Sequence, residues 1–377
     1  MKIAVLGAGM VGRAIAIDLA KKFEVTSIDL SQDSLDLLSK KAPGIQTHQA
    51  NLSHFHTIHS LVKPFDLVVT AVPGFMGFEV LKHVILAGKN LVDISFFPED
   101  ALQLDALAKE KGVTAIVDCG VAPGVSNLVL GRYNGLMKIN SFECFVGGLP
   151  KSRKKPFEYK APFSPVDVIE EYMREARYVE NGHIVYKPAL SDCELIDFEE
   201  IGTLEAFNTD GLRSILYTMP HIPNMKEKTL RYPGHVDLII ALKSAGFFNA
   251  DPVKIRGEEI SPREFSSRIL FKEWKLEENE EEFTIMLIRV CGEENGRQKT
   301  VEYFLIDRFN AATGTSSMAR TTGYTCTAAV NMLADGLFNE KGVFPPELVG
   351  KHAACFEYIL HYLAERNIIY RKTESNS

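Results

Sequence analysis

Long apolar runs are missing from this sequence. The longest, such as Leu67–Val72 and Ile94–Phe97, have strand length and fall far short of the roughly 20 residues that cross a bilayer as a helix. Positive charge is also in deficit: 42 Lys and Arg against 49 Asp and Glu leave a formal charge of −7. That argues against a nucleic-acid polyanion as the main partner, though a small anionic cofactor needs only a local site. Cysteine is sparse and scattered, six residues at 119, 144, 193, 291, 326 and 355 with no CxxC pair, so reduced thiols of a cytoplasmic protein are expected. No repeat of fixed period occurs. No acidic or cysteine ligand completes the cluster His48, His54, His56 and His59, and surface histidines rather than a metal site are expected there. The opening Met1-Lys2-Ile3-Ala4-Val5-Leu6 lacks a signal peptide's longer apolar region and cleavage site, and reads as a strand.

What is present suits a globular chain of two domains. Its 377 residues exceed the size at which single cores usually split, and 46% hydrophobic with 24% charged residues can build a sizeable core. The first 120 residues alternate strand-like runs (Lys2–Leu6, Glu24–Asp29, Asp66–Ala71, Asn90–Ile94, Val113–Asp118) with amphipathic stretches near Met10–Lys21, Gln32–Lys41, Phe75–Ala87 and Asp100–Lys111. A further short strand is expected near Ile45–Gln49. This alternation predicts an α/β class with a parallel, right-handed Rossmann-type sheet. After Gly120 the texture changes to β-like segments (Asn140–Gly147, Phe283–Val290, Thr300–Ile306) and acidic helices such as Val166–Ala176, an α+β domain with a largely antiparallel sheet. From Ser316 the chain turns helical again (Thr322–Leu337, Glu347–Glu365), so residues 316–377 are expected to complete the first domain, 1–120, and 121–315 to form the second. The run Glu277–Glu282 reads as a solvated turn and Arg371–Ser377 as a frayed end.

Gly7-Ala8-Gly9-Met10-Val11-Gly12 fits GxGxxG between a strand and a helix, and Asp29 ends the next strand, 17 residues beyond Gly12. The glycines permit a tight turn, close approach of a pyrophosphate and close helix–strand packing, while the helix N-terminus favours phosphate. A carboxylate at Asp29, followed by Leu30, accepts hydrogen bonds from the adenosine ribose. No Arg or Lys follows before Lys40, which favours NAD over NADP. Ala71-Val72-Pro73 and Asp93-Ile94-Ser95 end two further strands at the same edge, where ligands of open parallel sheets bind. Asp93 either binds cofactor or caps the next helix.

Asp118-Cys119-Gly120-Val121-Ala122-Pro123-Gly124-Val125-Ser126-Asn127 then leaves a strand, turns and opens a helix. Asp118 and Gly120 are placed with the cofactor, Cys119 as a packed thiol, and Asn127 as either a substrate contact or a cap. With the fingerprint, VAPGVSN, Gly147-Gly148-Leu149-Pro150, Glu205–Gly211 (EAFNTDG), Leu230–His235 (LRYPGH) and Met318–Thr322 (MARTT) occur in this order. Together they resemble the saccharopine dehydrogenase family, most closely its lysine 6-dehydrogenase branch, over residues 1 to about 365. The resemblance implies NAD-dependent oxidation of the ε-amino carbon of L-lysine to allysine, which cyclises to a piperideine carboxylate, with release of ammonia. It also implies a homodimer formed through the second domain. Relatives act on saccharopine or other secondary amines, and a non-catalytic NAD-binding sensor is the reading from another class.

The second-domain residues suit a zwitterion. Thr209-Asp210-Gly211-Leu212-Arg213 looks like a capped helix start whose N–H groups favour a carboxylate. Arg213 and Arg231 each offer a bidentate fork to it, or else a structural ion pair. His235 is a candidate to accept a proton from the substrate ammonium or to bind its carboxylate, or else a buried structural histidine. Tyr159 and Lys160 are candidates to line the pocket, and Arg320 and Thr321 either reach it from the returning helix or cap that helix. No metal is required.

Overall fold

The computed structural model describes residues 1–161 and 165–376. Strands that are apolar on both faces are stable only between two helical layers, and the first third of the chain builds that arrangement. Its elements are β1 (Lys2–Leu6), α1 (Met10–Leu19), β2 (Glu24–Asp29), α2 (Gln32–Lys41), β3 (Gln46–Gln49), α3 (Phe55–Val62), β4 (Leu67–Thr70), α4 (Gly74–Leu86) and β5 (Asn90–Asp93). A 3-10 turn, Ala101–Leu104, leads into α5 (Asp105–Glu110) and β6 (Thr114–Ile116). All four residues of β4 and all three of β6 are buried. The strands are parallel, and β1 lies between β2 and β4. The chain therefore changes direction across the sheet there, which opens the crevice at the carboxyl ends of β1 and β4.

The second sheet follows α6 (Val125–Asn134). Its elements are β7 (Lys138–Pro150), α7 (Pro165–Met173), β8 (Ala176–Glu180), β9 (His183–Lys187), β10 (Glu194–Phe198), β11 (Gly202–Asn208), α8 (Ile215–Thr218), β12 (Met225–Arg231) and α9 (His235–Ser244). A small hairpin, β13 (Val253–Ile255) and β14 (Glu258–Ile260), precedes α10 (Pro262–Trp274), β15 (Glu282–Glu294) and β16 (Arg297–Arg308). The sheet runs antiparallel except where β12 lies parallel to β7. Alternation decides its faces. On β12, Lys228 and Leu230 point to one side, and Leu230 packs there with Phe145 and Phe198. Glu227, Thr229 and Arg231 point to the other, beneath α7, α9 and α10.

The last part of the chain serves both sheets. α11 (Ser317–Ala334) lies on α1, with Gly323 against Ile15 and Val11. β17 (Gly342–Phe344) adds a seventh parallel strand beside β6, followed by α12 (Pro346–Gly350) and α13 (Ala353–Ala364). The α12 backbone touches α6 at Gly131 and Gly350, where any Cβ would collide. Among the described residues no helix is long and apolar enough to cross a membrane.

Three expectations change. The tail is not frayed: β18 (Arg371–Asn376) pairs with β16 and returns the chain to the second sheet. The acidic run is not simply a solvated turn. Glu282 is 2% exposed and accepts the Ser317 and Met318 N–H groups, which with the Ser316 cap starts α11 at Ser317, five residues before the expected Thr322. Glu278 of the same run bonds Arg13 on α1 and Lys41 on α2, at 2.7 and 2.8 Å. Finally, Thr209–Arg213 opens no helix. Those residues form a loop, and α8 is a single turn beginning at Ile215.

Candidate active site

At the crevice the glycine turn is built as its spacing predicts. A Cβ on Gly7 would lie 2.2 Å from the Ala71 carbonyl oxygen, and one on Gly12 would lie 2.1 Å from that of Gly7. Gly9 has open space above it, and the free N–H groups of Met10 and Val11 begin α1. The Asp29 carboxylate accepts Ala8 N–H at 2.6 Å and Ser31 N–H at 2.7 Å, which stands it at the rim of the turn. Leu30 beside it is 61% exposed, an apolar ledge at this rim. Pro73 precedes α4, and Val72 is buried. Asp93 accepts the Thr70 hydroxyl at 2.5 Å and Ser95 N–H at 3.2 Å, and burial pushes its carboxyl up to about 7. The Ser95 hydroxyl, 2% exposed, has no partner among the described residues. A cradle open at Gly9 and a buried hydroxyl left free along the same edge fit a dinucleotide.

Across the crevice, the polar face of β12 meets α7 and the loop 209–213. Arg213 donates to Asp118 Oδ1 at 3.0 Å and to the Phe97 carbonyl, so Asp118 joins the two domains instead of standing open to a ligand. Its Nε has no partner. Asp210 is held by Arg177 through two bonds of 2.9 Å, with Arg174 at 3.9 Å. Thr209 and Thr229 share a hydroxyl bond of 2.9 Å, and Thr229 donates to Glu171 at 2.5 Å. Gly211 leaves room for the Glu227 carboxylate, which a Cβ would overlap.

Arg231 is 2% exposed, and no carboxylate lies within hydrogen-bonding distance of it. Its Nε donates to the Tyr172 hydroxyl at 3.1 Å, and the Tyr159 ring lies 4.5 Å from the guanidinium carbon. Glu171 approaches only to 3.8 Å. His235 begins α9 behind this pair. The Phe157 carbonyl can only accept, so His235 Nδ1 carries the proton (3.0 Å) and Nε2 accepts the Tyr172 O–H (3.0 Å). Burial, then the Arg231 charge, lowers His235 to about 3. A neutral imidazole with its lone pair spent positions Tyr172 and Arg231, and it has no capacity to accept a substrate proton at neutral pH.

The remaining expected residues lie in other networks. Lys160 donates to the Glu273 carbonyl at the end of α10. Asn127, fully buried, donates to Glu347 at 3.2 Å. Arg320 pairs with Asp307 at 3.0 Å, and Thr321 returns its hydroxyl to the Ser317 carbonyl of its own helix. Cys119 is packed, with its thiol near the Thr325 carbonyl. Sequence reasoning missed Glu171, Tyr172, Arg174, Arg177 and Glu227. Their local sequence resembles any amphipathic helix or strand, and only the alternation of β12 placed Glu227 on the face of Arg231.

Comparison with known proteins agrees with this architecture. The family profile "Saccharopine dehydrogenase NADP binding domain" matches residues 3–116, and "Saccharopine dehydrogenase C-terminal domain" matches 120–369. The mitochondrial alpha-aminoadipic semialdehyde synthase of Bos taurus is 26% identical over 66% of this chain and 29% of that protein. The chain thus spans under a third of that relative. A saccharopine dehydrogenase [NADP(+), L-glutamate-forming] of Schizosaccharomyces pombe is 22% identical over 91% of this chain and 93% of its own. The saccharopine dehydrogenase (L-Glu forming) structure from Saccharomyces cerevisiae superposes with a TM-score of 0.79 at 19% identity, covering 99% of both chains. Homospermidine synthase from Legionella pneumophila, solved with NAD, gives 0.69 at 14% identity over 99% of this chain and 91% of that one. With two matching profiles in sequence order, the second alone covering more than half of its residues, this chain belongs to the saccharopine dehydrogenase family.

Proposed function

We propose that the chain is an NAD-dependent oxidoreductase acting on a carbon–nitrogen bond, and that its substrate is L-lysine, oxidised at the ε-carbon with release of ammonia. The observation that carries the substrate reading is Arg231. It is a buried guanidinium held by two phenol oxygens and the Leu230 carbonyl, with its nearest carboxylate, Glu171, at 3.8 Å, and such a charge is able to bind one carboxylate. Arg213 and Arg177 are already spent on Asp118 and Asp210. A single fully buried anchor fits a single α-carboxylate, and the extended side chain then carries the ε-carbon toward the crevice. Bound NAD supplies the hydride acceptor. The protein's part is to fix the carboxylate at Arg231, orient the chain and exclude water. Asp29, without a cation beyond it in the loop that follows, supports NAD over NADP. The reading includes a homodimer through the second domain, which sedimentation tests.

The second reading is saccharopine, supported by the names of the relatives and by Arg174, whose carboxylate neighbour stands at 3.9 Å. Lysine labelled with nitrogen-15 at the ε-position separates the two. Labelled ammonia with a cyclic imine product is expected, and loss of the α-nitrogen, or turnover of saccharopine alone, rejects the lysine assignment.

A further inference from the structure

Four carboxylates, three of the second domain and Asp118 of the first, meet around the loop 209–213, and three of them have partners. Asp118 is bonded by Arg213, Asp210 by Arg177, and Glu171 by the Thr229 hydroxyl. Glu227, on β12, is 5% exposed and receives no hydrogen bond to its carboxylate from any described residue. Most nearby donors are committed elsewhere, and Arg213 Nε, the one left free among the described residues, makes no bond to it. Tyr178 gives its hydroxyl to the Glu227 carbonyl, Thr209 and Thr229 serve one another and Glu171, and Arg213 spends both terminal nitrogens on Asp118 and Phe97. The carboxylate lies against the bare Cα of Gly211, with Glu171 of α7, Asp210 and Arg213 of the loop and Asp118 of the first domain around it. Burial of a carboxylate without a protein donor favours the neutral acid, or a cation brought from outside. Burial, then Glu171 and Asp210, pushes its carboxyl up to about 8.

We infer that Glu227 receives the ammonium group of the substrate and takes its proton before oxidation. On binding, the proton that the resting acid holds leaves to solvent; the N–H bond then breaks, an O–H bond forms on the carboxylate, and the electron pair stays on nitrogen. A positive and a negative group become two neutral ones, and the amine is then able to release hydride from its carbon. The inference rests on the proposed function only in requiring an amine substrate, so it holds for lysine and for saccharopine alike.

Calorimetric binding to the full chain loaded with NADH tests it with L-lysine, saccharopine and L-norleucine, the last being the lysine carbon framework without its side-chain nitrogen. The expected wild type prefers an amine to norleucine. Glu227→Gln weakens that amine by about ten- to a hundredfold, as for loss of a charged hydrogen bond, and leaves norleucine unchanged. Equal amine affinity in the two proteins, or no wild-type preference for either amine, overturns the assignment. Preference for saccharopine alone keeps Glu227 in its role while rejecting lysine. A measurement on the unaltered protein guards against a variant that fails to fold. Repeating the titration near pH 7 in buffers of different ionisation enthalpy should show about one proton released per amine bound, because the acid is protonated beforehand. No proton release overturns the inference.

Discussion

The two buried arginines of the crevice differ in how their charge is spent, so their substitutions should separate. Arg231→Ala removes a guanidinium whose nearest carboxylate, Glu171, stands at 3.8 Å without a hydrogen bond, and the Michaelis constant should rise by the equivalent of about 2–5 kcal/mol with the fold retained. Arg213→Ala instead strips Asp118 of its buried partner, and its main effect should be a stability loss of about 3–5 kcal/mol in thermal melts. Wild-type kinetics in a folded Arg231→Ala protein would remove the anchor from Arg231. At the other end of the crevice, Asp29→Ser should weaken NAD and narrow the gap to NADP. A wild type that uses NADP equally well defeats that assignment. The fingerprint was readable because all its constraints fall within one turn, where Gly7 and Gly12 must accept backbone at about van der Waals limits. His235 was less readable. Its chemistry depends on Phe157 and Tyr172, 78 and 63 residues away in sequence, and they turn a candidate base into a neutral support.

Among the elements, α11 and β18 show what the pattern of residues leaves unsaid. The periodicity after Ser316 marked a helix, but its start depends on Glu282, which reaches its N–H groups from β15, 35 residues earlier. Glu282→Ala should leave those N–H groups bare and cost about 1–3 kcal/mol, read from chemical denaturation. A change within error would mean that Ser316 alone suffices. β18 was hidden for another reason: every one of its six residues is exposed, so no apolar alternation announces it, and its charged side chains resemble a tail. Its order comes from the ladder with β16. Amide exchange should show the β16-facing N–H groups protected, whereas exchange at free-chain rates would restore the frayed end. The parallel strands were legible for the opposite reason, since burial on both faces leaves continuous Val, Ile and Leu.

On the scale of the whole molecule, buried acids make stability depend on pH. Burial pushes the carboxyls of Glu227 and Glu282 up to about 8 and that of Asp93 up to about 7, above their ordinary values. Between the ordinary and the raised value of each acid the native state holds a proton that the unfolded chain has released, so stability falls as pH rises toward the raised value. His235 acts the other way, because its folded value near 3 lies below the ordinary 6.5, but its contribution is complete above about pH 7. Melting temperature should therefore decline from about pH 7 to 8.5, and Glu227→Gln should flatten the decline; an equal slope in both proteins would count against a protonated Glu227. The passage from a parallel to a largely antiparallel sheet could be sensed from the change of texture at Gly120, whereas the return of β18 to the second sheet could not. The position of β17 also has a consequence for synthesis. Its partner β6 ends at Ile116, and β17 arrives only at Gly342. At roughly 5–20 residues per second, a ribosome leaves that strand edge bare for some ten to fifty seconds. The first sheet to be made is thus among the last to be closed, and in that interval the nascent chain is most exposed to mispairing and most in need of a chaperone.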